Sequence, residues 1–142
     1  MPHQVSVFAE NKPGKIEKIT AILAENHINI RAITISDTGD YGIIKLLLNK
    51  PAEGCAALNS GGIAATLKDI VAVKINDEPG SLHKAAAVLS ESGINVEDAY
   101  GFILRKNNEA AFVFQVGNIK HTENILRDAG YQVIEDSDLY VL

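Results

Sequence analysis

Asn76-Asp77-Glu78-Pro79-Gly80-Ser81-Leu82, followed twelve residues later by Ile94-Asn95-Val96, has a counterpart 66 positions upstream: Glu10-Asn11-Lys12-Pro13-Gly14-Lys15-Ile16, then Ile28-Asn29-Ile30. At that offset Val5 aligns with Val71, Val7 with Val73, Leu23 with Leu89 and Glu25 with Glu91. Ten of the 26 aligned positions from Val5 to Ile30 are identical without a gap. Polar loop positions match as well as apolar ones, so the chain is read as a duplication. Its 142 residues then divide into two units of about 70 residues each, a size that buries proportionally little surface alone and favours packing against a neighbour. The expected units are residues 1–68 and 69–142.

Outward from the quoted loops, each repeat follows the same course. An apolar stretch opens it: Val5 to Phe8, and Ile70 to Ile75, where Val71, Val73 and Ile75 alternate as in a strand. The Pro-Gly turn leads into a helix, because Ile16, Ile19, Ile22 and Leu23 in one repeat, and Leu82, Ala85, Ala86 and Leu89 in the other, each fall on one helical face. Gly93 and the aligned His27 mark the helix ends, since both residue types tolerate left-handed backbone better than β-branched residues do. Strands follow at Ile30 to Ile35 and at Val96 to Leu104, the latter with Gly101 as a bulge. Hairpins turn at Asp37-Thr38-Gly39-Asp40 and between Arg105 and Glu109, leading into Ile43 to Leu48 and Ala110 to Val116.

A second helix completes each half. One starts near Pro51, and is weakened by Gly54, Asn59 and Ser60 before Gly61-Gly62 ends it. The other runs from about Ile119 to Ala129 and stops at Gly130. Last strands fall at Ile63 to Leu67 and Tyr131 to Glu135, and Ser137 to Leu142 is a tail without a clear pattern. The fold class is therefore α+β: two ferredoxin-like βαββαβ units in tandem, each an antiparallel sheet with helices on one face. That plan leaves sheet edges to be paired within or between chains, and a homodimer is expected.

The Pro-Gly loops are the candidate functional segments. Proline fixes φ and glycine permits an unusual turn, so a strand passes sharply into a helix whose first N–H groups have no intrahelical partner. Backbone N–H groups of Gly80, Ser81 and Leu82, or of Gly14, Lys15 and Ile16, are placed to hold a carboxylate. Asn29 and Asn95 offer amide oxygens and N–H donors for a zwitterion, with Asp77 for its ammonium group. The two asparagines can equally serve their own backbone.

Strand, Asp/Asn-x-Pro-Gly-x-Leu/Ile, helix, then Ile-Asn-Val/Ile resembles the ACT domain, a family of small amino-acid-sensing regulatory modules, and the resemblance runs through nearly the whole chain twice. Two copies without a catalytic domain resemble the stand-alone members of that family. The resemblance implies an amino acid held between paired domains, against the first strand-to-helix loop of one and the stretch after the first helix of another. The matching positions are Asn11, Pro13, Gly14, Lys15 and Ile16 with Asn29 and Ile30, and Asp77, Pro79, Gly80, Ser81 and Leu82 with Asn95 and Val96. The second repeat fits the pattern better, since Asn11 and Ile16 depart from its commoner Asp and Leu, and one repeat can serve only as scaffold.

Composition narrows the alternatives. Thirteen Lys and Arg against eighteen Asp and Glu give a net charge of −5, without a basic block, which removes the usual driver of nucleic-acid binding. Tyr100, Phe102, Phe112 and Phe114 lack the basic and aromatic pattern of an RNA-recognition sheet, and alternation assigns Phe112 and Phe114 most simply to the core. A lone Cys55 excludes an intramolecular disulfide, no run of about 20 apolar residues is present, and the N-terminus has no leader-like pattern, so a cytoplasmic protein is expected. His3, His27, His83 and His121 show no metal-ligand spacing. Ser81 and His83 point in different directions on a helix start, and Glu97 and Asp98 on opposite faces of a strand, so neither pair makes a catalytic couple. The expectation is a non-catalytic module, without cofactor or metal, that binds a free amino acid. The rival is a ligand-free regulatory or interaction subunit of an amino-acid-metabolism enzyme.

Overall fold

The computed structural model describes residues 2–10, 12–104 and 107–140, in two compact units: residues 3–68, and residues 69–140 together with Pro2. In the first unit the order is β1 (His3–Glu10), α1 (Lys15–Glu25), β2 (Ile30–Asp37), β3 (Tyr41–Leu48), α2 (Pro51–Ser60) and β4 (Ala64–Asp69). The second unit has β5 (Val71–Asn76), α3 (Ser81–Glu91), β6 (Asp98–Ile103), β7 (Glu109–Gln115), α4 (Ile119–Asp128), β8 (Gln132–Val133) and a short α5 (Asp136–Leu139). Strand orders are β2-β3-β1-β4 and β6-β7-β5-β8, the same βαββαβ topology twice. The α+β, ferredoxin-like expectation holds.

Period-two burial carries the first sheet. Val5, Val7 and Ala9 are buried, and across the antiparallel register Val5 faces Leu46 and Val7 faces Ile44. The helical stripe of α1 buries Ile19 and Leu23 completely, and α2 adds Leu58, so one closed core lies on the helix side of the sheet. In the second unit Val71, Val73 and Ile75 meet Ala85 and Leu89 of α3, Leu126 of α4 and Phe114 of β7.

Both first helices end as the sequence indicates. His27 has φ 57° and Gly93 φ 71°. The N–H of Ile28 donates to the Leu23 carbonyl at 2.9 Å, and that of Ile94 to Leu89 at 2.9 Å, which satisfies carbonyls that a helix end leaves open. Helix α2 forms in full despite its residues, because packing overrides propensity. A Cβ on Gly54 would overlap Leu48, so glycine lets the helix approach the sheet closely. Asn59 reaches β4, donating to the Ala65 carbonyl at 3.0 Å and accepting from its N–H at 3.1 Å. Cys55 is buried beside it; burial pushes its thiol pKa up, against a smaller lowering by the Asn59 side chain.

Several expectations are corrected. Gly101 is not a bulge: Asp98 to Ile103 pair with Gln115 to Ala110 in unbroken register, and the irregularity lies in β2, between Ile30 and Ala32. The physical reason for glycine is the Phe112 ring, whose atoms would stand 2.8–3.0 Å from a Cβ. Gly101→Val is therefore expected to destabilise the protein by about 1–3 kcal/mol, visible as a lower urea midpoint at unchanged slope. Strand β6 begins at Asp98, two residues later than expected. The last strand is Gln132–Val133 alone, and the tail contains α5, whose Leu139 is fully buried. The hairpin loop expected at Arg105 to Glu109 lies partly outside the described residues; Asn107 and Asn108 within it have φ 62° and 51°.

Candidate functional site

Each Pro-Gly loop has the turn the sequence requires. Gly14 and Gly80 stand just before α1 and α3 with φ 93° and 88°, left-handed conformations that L side chains seldom adopt. The turns consume one expected anion donor each. Ser81 donates its N–H to the Glu78 carbonyl at 3.2 Å, and Lys15 donates to Lys12 at 3.4 Å. The amides of Gly80 and Leu82, and of Gly14 and Ile16, remain for the role proposed from sequence. Asp77 is exposed, and its N–H donates to the Asn108 carbonyl at 2.6 Å, which ties the loop to the β6–β7 hairpin.

The first loop differs electrostatically. Glu10 and Lys12 form an exposed ion pair at 3.1 Å. The hydrogen bond from Lys12, then the charges of Lys12 and Lys15, hold the Glu10 carboxyl below its usual range. Asn11 lies outside the described residues, and Pro13, Gly14 and Ile16 are exposed, with Lys15 half-buried.

Asn29 and Asn95 diverge from the reading in which their side chains serve their own backbone. Both are exposed, and neither side chain makes a hydrogen bond among the described residues. The Asn29 backbone is instead held by Asn49, whose Oδ1 accepts from the Asn29 N–H at 2.9 Å and whose N–H donates to the Asn29 carbonyl at 3.1 Å.

In the second unit a groove of about 510 Å³ opens between α3 and the edge strand β6. Leu82, Asn95 and half-buried Val96 line it together, so three of the residues expected from sequence meet in one concavity. Asp77, Pro79 and Gly80 in the loop before α3, and Ser81 as its first residue, do not line the groove. The groove also uses residues the sequence reading missed, chiefly Ala86, Gly93, Ala99 and Phe114. The available signal was a contrast between repeats: Ala86, Gly93 and Ala99 stand where the first repeat has Thr20, His27 and Ile33.

Tyr100 lies one residue on from Ala99, hence on the opposite face of β6. Burial, and then the nearby Asp98 charge, push its phenol pKa well above the usual value. Among the described residues no group of three His, Cys, Asp or Glu could hold a metal, and no helix is long and apolar enough to cross a membrane.

Two βαββαβ units, each with a Pro-Gly loop feeding its first helix, define a tandem module of the ACT type. The chain belongs to the ACT domain family: residues 1–142 match the family described as an ACT domain pair. No curated protein matches the chain. Among solved structures it is similar to protein BT0572 from Bacteroides thetaiotaomicron, at 31% identity and a TM-score of 0.92, over 99% of this chain and 96% of that one. The regulatory subunit of aspartate kinase from Thermus thermophilus, solved in a ligand-free form, shares the fold at 19% identity, with a TM-score of 0.66 and 91% of each chain covered. The corresponding subunit from Thermus flavus does so at 21% identity and a TM-score of 0.61, with 92% of each chain covered.

Proposed function

We propose that this ACT domain pair is a non-catalytic sensor of a free amino acid, acting in the cytoplasm on a partner of amino-acid metabolism or on a second copy of itself. The observation that carries the reading is the apolar groove that runs along α3, lined by Leu82 at the helix start and by the exposed Asn95 beyond the helix end. An amino acid in the groove finds the Asn95 amide for its charged groups and apolar walls for its side chain. Regulation follows if the ligand binds one packing of the domains better than another, since only that difference shifts an equilibrium. Likeness to regulatory subunits of aspartate kinase supports a regulatory role.

A second reading is an interaction subunit without a ligand. It is favoured by apolar side chains left open on the first unit: Ile33 and Ile35 on edge strand β2 are 41% and 55% exposed, and Phe8 stacks on Tyr41 with ring centroids 4.8 Å apart. Calorimetric titration with amino acids, repeated on Asn95→Ala, separates the two. The sensor reading predicts saturable heat that weakens in the variant with its melting temperature unchanged. Absence of heat, together with recovery of an amino-acid-metabolism enzyme on the immobilised chain, would favour the interaction subunit.

A further inference from the structure

The groove of the second unit has a distinct chemistry. None of its ten lining residues is charged, and only Ser90 and Asn95 are polar. Ala86, Gly93 and Ala99 leave its walls apart, while Phe114, 3% exposed, lies at their base and stacks on Phe112 at 6.2 Å.

Hydrogen-bond register fixes how this compares with the first unit. Val71 faces Phe114, which faces Ala99; the aligned Val5 faces Leu46, which faces Ile33. Ala99 and Ile33 therefore occupy the same place on the helix side of the edge strand. At the repeat offset of 66, Ala86, Gly93 and Val96 correspond to Thr20, His27 and Ile30. All four of these wall positions carry a larger side chain in the first unit. Bulk has moved from the edge strand to the inner one, with Ile33–Leu46 replaced by Ala99–Phe114.

Resting on the amino-acid-binding reading, we propose that the ligand is an amino acid with a bulky apolar side chain, branched aliphatic or aromatic, held in the second unit, and that Ala99 sets the room for it. A Lys or Asp side chain placed there gains no charged partner among the lining residues. An apolar one is released from water against the leucine, isoleucine and valine walls, with Phe114 beneath them. The first unit, with Ile33 in the place of Ala99, serves as scaffold.

The test is calorimetric titration of the full chain with valine, leucine, isoleucine and phenylalanine, and in parallel with serine, aspartate and lysine. It is repeated on Ala99→Ile, which transplants the first repeat's residue, and on the reciprocal Ile33→Ala. Ala99 is exposed on an edge strand that favours β-branched residues, so Ala99→Ile keeps the fold, checked by circular dichroism. Ala86→Thr, at an exposed helix position, is a second variant against the same groove. The expected result is binding of at least one apolar amino acid, weakened at least about tenfold by Ala99→Ile and by Ala86→Thr and unchanged by Ile33→Ala. Binding of a charged or small polar amino acid, unaffected by Ala99→Ile, would overturn this inference and leave the sensor reading standing. Loss of binding in Ile33→Ala alone would also overturn it, by moving the site to the first unit. Failure of every amino acid to bind would remove both.

Discussion

Leu23→Ala and its repeat counterpart Leu89→Ala are each expected to destabilise the protein by about 2–5 kcal/mol, with Leu23→Ala the more costly. Both leucines sit on the buried stripe of a first helix, at 0% and 1% exposure. The difference lies in what surrounds them. Leu23 is enclosed in the core with Ile19, Leu46, Leu48 and Leu58, all fully buried, so its loss leaves a cavity that neighbours cannot fill. Leu89 already forms part of the groove wall, so its truncation enlarges a space open to solvent and forfeits mainly the transfer of its own atoms. Urea midpoints at constant slope measure both. Equal costs, or a larger cost for Leu89→Ala, would mean that the groove is closed in solution.

Gly80→Val is expected to cost about 1–3 kcal/mol of stability and to abolish ligand binding. Its backbone, at φ 88°, is one that a β-branched residue adopts only under strain, although a Cβ there would meet nothing within 4 Å. The cost is thus conformational and not a clash. Relief of the strain must reshape the turn between Asp77 and Ser81, which moves Leu82, a wall of the groove. Gly14→Val carries the same strain, with φ 93° and no neighbour within 4 Å, and serves as the control. A similar loss of stability in both variants, with binding lost only in Gly80→Val, locates the ligand in the second unit. Retained affinity in Gly80→Val would separate the loop from the site.

Local rules read in the sequence were sound where local physics decides. The Pro-Gly turns, the amphipathic stripes of α1 and α3, and the left-handed ends at His27 and Gly93 each follow from one residue's backbone preference or from a 3.6-residue period. Misreadings arose where a distant side chain decides. Gly54 reads as a helix-weakening residue until Leu48 is seen beneath it, and Gly101 as a bulge until Phe112 is placed across it. Buried Leu139 in α5 stabilises a segment whose local pattern is silent. The site divides in the same way. The loops and the Ile-Asn segments were legible as a motif, whereas the groove depends on which residues of β6 and β7 face α3, and that requires the pairing of Ala99 with Phe114.

Thermal unfolding of the full chain with each common amino acid at millimolar concentration tests the central claim most directly. A ligand at about 100 times its dissociation constant adds roughly 2.7 kcal/mol to stability, a shift of several degrees for a chain of this size. The account predicts such a shift for a chemically coherent few, with apolar side chains, and none for the rest. A melting temperature that no amino acid moves, in protein shown by mass spectrometry to have been purified without a bound ligand, would contradict it.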